Sequence, residues 1–335
     1  MSDDRTQSRD ELLTIRDLCV QYNTDDAVVH ALNGFSLSLR RGESLGVVGE
    51  TGAGKTTMAL SVMRLLPAGV GEVTAGSVVY DGKDILSSTE NDMLKLRGER
   101  ISMIFQDPMT SLNPVLTVGE QILEVLELHF PNMTREEKDK RVDEMMQMVG
   151  IPASRKGEYP HQFSGGMKQR IVIAMALVAE PELLLADEPT TALDVTIQAQ
   201  ILELVRGLKR RFNTAMILIT HDLGVVNEVC DNVAIVYGGE VIEQGTIEDV
   251  YVRIKNHPYT EGLFGSIPDL TTDARRLQSI PGHMVDPTNL PAGCKFAERC
   301  AYRTERCLRE NPPMHFLSQT HCIKCHRFEE DARHE

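Results

Sequence analysis

Residues Gly49-Glu50-Thr51-Gly52-Ala53-Gly54-Lys55-Thr56 fit the pattern G-x-x-x-x-G-K-[ST]. They follow an alternating apolar run ending in GVV and precede a stretch with helical periodicity through Leu66. Strand, glycine-rich turn and helix in that order form the context in which this pattern cradles phosphate. The glycines let successive backbone N–H groups turn inward on phosphate oxygens, and the helix N-terminus adds a partial positive charge. Lys55 can reach the β- and γ-phosphates, the Thr56 hydroxyl can ligate Mg²⁺, and Thr57 extends the nucleotide-binding stretch.

The rest of the chain continues a strand–helix alternation. Runs 12–22, 35–48 and 101–105 read as strands. From Thr117 to about Val149 the apolar period is helical, and a further helix follows Gly165-Gly166 and runs through Val178. Then come a strand at 183–187, a helix at 196–211, a strand at 215–220, a helix at 223–229 and the strand–turn–strand VAIVYGGEVIEQG. This predicts an α/β core with a parallel sheet over residues 1–250, interrupted by a helical subdomain near 107–180. From about 250 the chain is irregular and rich in Pro, Cys and His, so 251–335 reads as a separate C-terminal extension too irregular to bury much core.

Leu183-Leu184-Leu185-Ala186-Asp187-Glu188 is an apolar strand ending in two carboxylates. Downstream of a phosphate loop, the first can hold Mg²⁺ through water and the second can polarise an attacking water. Ser164-Gly165-Gly166 stands immediately before a helix, a second anion-binding helix N-terminus that one nucleotide does not need. Gln106 and His221 each follow a buried strand, where open α/β sheets place ligand contacts.

In this order, over residues 12–250, these pieces resemble the ATP-binding cassette family. The resemblance implies a P-loop NTPase (RecA-like) core with a parallel sheet, an antiparallel β subdomain, a helical signature subdomain and a small irregular extension. It implies that Tyr22 stacks on adenine and that Gln106 senses Mg²⁺ and the γ-phosphate. It makes Ser164-Gly165-Gly166 the signature, Asp187 and Glu188 the Walker B pair, Asp194 part of the dimer-contact loop and His221 the switch histidine. The usual signature continues with Gln, where this chain has Met167, which cannot supply the same side-chain hydrogen bonds.

The segments FQDPMTSLNP (105–114), YPHQFSGGM (159–167) and ADEPTTALDVTIQAQIL (186–202) narrow the resemblance. So do His257-Pro258-Tyr259-Thr260, Ser266-Ile267-Pro268, Ile280-Pro281-Gly282 and Gly293-Cys294-Lys295-Phe296-Ala297-Glu298-Arg299-Cys300. Together they resemble the D-type ATPases of bacterial oligopeptide and dipeptide permeases. That implies an ATP- and Mg²⁺-dependent ATPase on the cytoplasmic face of the inner membrane. Its partners are two integral-membrane permease subunits, a sister cassette ATPase and, indirectly, an external peptide-binding protein. The same family includes importers of nickel and of glutathione. The resemblance also implies that a signature completes a nucleotide site on a second cassette, so this chain, with one phosphate loop and one signature, pairs with itself or a relative.

Composition sets outer bounds. No run of roughly 18 apolar residues is present. The opening MSDDRTQSRDELL has no apolar core of a signal peptide and reads as cytosolic. Forty-nine acidic against 35 basic residues give a net charge of −14, which argues against a nucleic acid as principal partner. A cassette ATPase working on DNA or ribosomes usually carries two cassettes or a long insertion, and neither is present. Seven cysteines remain to be placed, five of them in the last 42 residues. In a cytosolic chain such a crowd points to metal or cluster binding before a disulfide. Cys294, Cys300, Cys307 and Cys325 offer four thiols. The resemblance implies a [4Fe–4S] cluster on them in some relatives; a zinc site or free thiols are the alternatives.

Overall fold

The computed structural model describes residues 10–191, 193–252, 255–266 and 279–333. The polar start (1–9), Ala192, and Ile267 and Pro268 of the extension motif lie outside the described residues. In chain order the elements are β1 (Glu11–Asn23), β2 (Val28–Arg40), β3 (Ser44–Val48), α1 (Lys55–Met63), β4 (Gly71–Tyr80), β5 (Lys83–Asp84), α2 (Glu90–Leu96) and β6 (Ile101–Ile104). Next come α3 (Pro108–Ser111), α4 (Val118–His129), α5 (Arg135–Met148), α6 (Gly165–Leu177), β7 (Leu183–Asp187), α7 (Val195–Phe212), β8 (Ala215–Thr220), α8 (Leu223–Val229), β9 (Asn232–Tyr237) and β10 (Glu240–Thr246). Last are α9 (Ile247–Tyr251), α10 (Pro258–Gly265), α11 (Glu305–Arg309), β11 (His315–Phe316) and β12 (Cys322–Ile323).

The chain divides into two compact units. Among the described residues, one comprises 10–12, Leu39–Ser44 and those from Asp81 to Ile219; the other comprises Leu13–Ser38, Leu45–Tyr80 and those from Thr220 onward. In the first unit β6, β7 and β8 run parallel in register, Ile101 beside Leu183 and Leu183 beside Ala215. Every residue of the three is buried, which is why they read as unbroken apolar runs. The helices α4 and α5 belong to this unit. They are not one helical stretch: Pro131 has no N–H to continue α4, and Thr134 opens α5 with a reciprocal capping box to Glu137. Thr117 and Glu120 cap α4 in the same way.

In the second unit β3 runs parallel to β9, and β9 turns back antiparallel into β10. The turn is Gly238-Gly239, both at positive φ (55° and 78°), as a tight hairpin of right-handed twist requires. The run 35–48 is two strands, because Arg41 to Glu43 form a turn between β2 and β3. β1 pairs antiparallel with β4, a strand the opening pattern of the sequence did not reveal.

The extension is more ordered than its composition suggests. β12 pairs antiparallel with β10 and with β11, so the tail lengthens the sheet of its own unit. Tyr259 and Ile323 are fully buried, and Phe296 and Phe328 nearly so. Tyr237, Tyr259 and Phe296 meet edge to face with centroids 4.8 to 5.4 Å apart. The buried carboxylate of Glu243 accepts from His257 N (2.9 Å) and bonds His321 Nε2 (2.9 Å), fastening both ends of the tail to β10. The expectation of a tail with little core is therefore corrected. Its aromatic side chains are too widely spaced in sequence to show a period, but they converge in space.

Candidate functional site

The phosphate loop belongs to the second unit. β3 delivers Gly49 so close to β9 that a Cβ there would stand 2.2 Å from Val236 O. Gly54 has φ 99°, and a Cβ on it would stand 2.5 Å from Ala31 O. At both positions only glycine lets the chain leave the sheet and enter α1. Lys55, the first residue of α1, is 6% exposed. Its Nζ donates to Gly49 O (2.6 Å) and Glu50 O (3.0 Å), which fixes the ammonium within the curve of the loop. Thr51, Gly52 and Thr56 are exposed, while Ala53 and Thr57 are buried. α1 ends at Met63, earlier than its periodicity suggests, because Arg64 takes the left-handed conformation and caps Leu60 O and Ser61 O. Half-buried Tyr22 on β1 donates its hydroxyl to Thr57 Oγ1 (3.1 Å), so its ring stands beside the loop's helix.

The first unit gathers the polar groups at the carboxyl ends of its parallel strands. Asp187 is the last residue of β7 and is 2% exposed. Glu188 follows with φ 45°, a conformation that costs a non-glycine residue of order 1 kcal/mol. Its N–H is held by Ile219 O at 2.9 Å. Its Oε2 accepts from Gln106 Nε2 (3.0 Å) and from Thr191 Oγ1 (2.9 Å). Gln106 and Glu188, read separately from sequence, are thus one hydrogen-bonded constellation. Thr191 was missed. The only signal for it was its place three residues beyond Glu188.

Ser164 stands at the N-cap of α6, exposed and with no side-chain capping bond. Gly165 and Gly166 are the first turn of α6 rather than residues preceding it. A Cβ on Gly166 would stand 2.7 Å from Ile197 Cγ2, so the glycine allows α6 to approach α7. Met167 lies half-buried beside Arg155, whose Nη1 is 3.7 Å from Sδ. Asp194 is exposed and caps α7, accepting from Ile197 N at 2.9 Å. His221 is exposed directly after β8 and belongs, with Tyr22 and the phosphate loop, to the second unit.

The tail thiols form a second locus. Cys294, Cys300, Cys307 and Cys325 line one cavity of about 290 Å³, with His257, Phe296 and His326. Cys322 is not in its wall; it lies on β12 opposite Gln244. Burial, with the neighbouring thiols adding to it, pushes Cys294 up to about 12 and Cys325 up to about 11. Cys300 moves in the same direction, also by burial first. Among the described residues no three such side chains converge closely enough to hold a single metal ion.

A phosphate loop between a parallel strand and a helix, a strand-end Asp-Glu pair and a Ser-Gly-Gly helix start define a P-loop ATPase of the cassette class. The chain belongs to the ATP-binding cassette transporter family: residues 32–191 match the ABC transporter model, and 242–307 match the oligopeptide/dipeptide transporter C-terminal region. ATP and Mg²⁺ are the nucleotide and ion of that family. The chain is 49% identical to the oligopeptide transport ATP-binding protein OppD of Escherichia coli, covering 91% of this chain and 90% of that one. It is 45% identical to AppD of Bacillus subtilis, an oligopeptide transport ATP-binding protein, over 96% and 98%. Among solved structures, the dimeric cassette MJ0796 with ADP and phosphate superposes with a TM-score of 0.63 at 27% identity, covering 70% of this chain and 99% of that one. Among the described residues no helix is long and apolar enough to cross a membrane.

Proposed function

We propose that the chain is the ATP-hydrolysing subunit of a bacterial importer of oligopeptides or dipeptides, docked on the cytoplasmic face of the inner membrane. The observation that carries this reading is the presence of both matched regions on one chain, cassette and peptide-transporter C-terminal region, with relatives similar over nearly its whole length. In this reading residues 1–250 are the nucleotide-binding domain, 107–180 its helical subdomain and 251–335 the extension. Two membrane permease subunits, a sister cassette and an external binding protein complete the machine.

The residues take the following roles in the proposal. Gly49 to Thr57 hold the phosphates, Lys55 neutralises them, and Tyr22 flanks the adenine. Thr56, Gln106 and Asp187 serve Mg²⁺. Glu188 polarises the attacking water, with His221 at the γ-phosphate. Ser164 to Gly166 and Asp194 act on a nucleotide held by the sister cassette. Closure on ATP derives from contacts available only in the closed pair. Cargo class is tested by uptake into cells lacking the chain. Labelled di- to pentapeptide uptake is expected to disappear and to return with the wild-type gene. Loss of nickel or glutathione uptake with peptide uptake intact would contradict the peptide assignment.

For the cysteine cavity we propose a [4Fe–4S] cluster on Cys294, Cys300, Cys307 and Cys325. The support is geometric. Cys294, Cys300, Cys307 and Cys325 line one cavity of about 290 Å³, and Cys322 is outside its wall. Iron bound in such a cavity would offset the cost of ionising thiols that burial keeps protonated. Anaerobically purified protein is expected to be brown, with about four iron per chain as the cluster type requires. Serine at any of the four positions should lower the iron content, and Cys322→Ser should leave it unchanged. Colourless protein with stoichiometric zinc, or protein free of metal, would overturn the assignment.

A further inference from the structure

Glu50 is the second residue of the phosphate loop, and its partners come from the far end of the chain. Arg299 grips the carboxylate with both arms, Nη1 to Oε2 at 2.7 Å and Nη2 to Oε1 at 3.0 Å. The arginine side chain is 6% exposed. Its Nε donates to Pro281 O (2.9 Å), and its guanidinium lies 5.7 Å from the Tyr237 ring centroid and 5.9 Å from that of Phe296. The main chain of Glu50 is held as well: its N–H donates to the Tyr259 hydroxyl at 3.0 Å, and its carbonyl accepts from Lys55. Tyr259, Pro281 and Arg299 all belong to the extension. The Glu50 side chain is 31% exposed, so the pair is half-buried, and its planar two-bond geometry makes it stronger than a single-contact surface pair.

We propose that Arg299 is a positioning residue for the nucleotide site, which acts through Glu50 to hold the phosphate loop and to cancel a carboxylate that would otherwise face the phosphates. Two physical effects act together. The loop carries Gly52 and Gly54 at positive φ (84° and 99°), so its conformational entropy must be lost when it wraps phosphate unless something fixes it beforehand. The extension fixes it at Glu50, both by side chain and by main chain. In addition, an unpaired carboxylate in the loop repels a polyanionic ligand at short range, where the interaction is only weakly screened. Arg299 removes that repulsion. The C-terminal extension is thereby a determinant of nucleotide affinity and not only an appendage. The inference rests on the reading of Gly49 to Thr56 as the phosphate site.

The test is a charge cycle on the full chain, reading the Kd of MgATP by titration calorimetry. Arg299→Ala is expected to raise Kd roughly tenfold, the equivalent of one lost charge-assisted bond. Glu50→Gln added to Arg299→Ala removes the stranded carboxylate and should recover at least about a third of that loss on a logarithmic scale. A tail that acts only as scaffold gives no such recovery. Should Arg299→Ala fail to fold, Arg299→Gln replaces it in the cycle, and Arg299→Lys is read beside it as a single variant. Lysine keeps the charge and loses the two-armed grip, so its Kd should rise by a few-fold. Kd within twofold of wild type in the Arg299 variant, or a double variant as weak as the single, overturns the inference. Lys55→Ala is the control. If it binds MgATP as wild type does, the phosphate-site reading fails and takes this inference with it. If it is silent while the Arg299 variants bind normally, only the inference falls.

Discussion

Glu188→Gln is expected to leave MgATP binding intact while slowing hydrolysis in the assembled transporter by roughly 10²–10⁴, the usual cost of losing a general base. The structure explains why the effect should be confined to chemistry. Glutamine is nearly isosteric, and its amide oxygen can still accept from Gln106 and Thr191, the two groups that hold the Glu188 carboxylate at 3.0 and 2.9 Å. The left-handed backbone at this position is tied through its N–H to Ile219 O, a bond that the substitution leaves in place. What disappears is the basic oxygen that accepts a proton from water. The variant should therefore accumulate in a closed, ATP-bound assembly, visible as stable nucleotide retention after gel filtration. Unchanged turnover would assign the base elsewhere.

The parts of this molecule that were legible in the sequence are those whose chemistry is local. The phosphate loop is eight consecutive residues between a strand and a helix, and its glycines follow from backbone crowding at Gly49 and Gly54. The buried parallel strands β3, β7 and β8 announce themselves as apolar runs. Capping explains some misses. The break between α4 and α5 was written in Pro131 and in the Thr134–Glu137 box, and α2 in the Thr89–Asp92 box, yet helical periodicity alone reads across such signals. β4 buries only Val78 and Tyr80, at its end, so its apolar pattern is weak. The tail was least legible. β11 and β12 are two residues each, too short for any period, and are strands only because β10 offers them an edge. The Arg299–Glu50 pair joins residues 249 apart, and no spacing rule reaches that far. The cysteines were legible as a group because thiols are rare and these were crowded, but only the fold assigns Cys322 to a strand and the other four to one cavity.

Partnership carries the second large effect. The N-terminus of α6 presents Ser164 and the N–H groups of Gly165 and Gly166 at an exposed helix start, and Asp194 at the start of α7 is exposed too. In the proposed mechanism these groups complete a nucleotide site on another cassette, so the chain by itself lacks donors aimed at the charge that develops on the transferred phosphoryl group. Removing such donors costs roughly 10²–10³ in rate. The most direct measurement is the ATP hydrolysis rate per chain, taken first for the purified protein in dilute solution and then after reconstitution with its sister cassette, the two membrane subunits and peptide-loaded binding protein. The account predicts a rate for the isolated chain about a hundredfold below that of the assembly, with the assembled rate rising further when peptide is supplied. A dilute monomer that hydrolyses ATP as fast as the assembly, or an assembly indifferent to peptide, would contradict it.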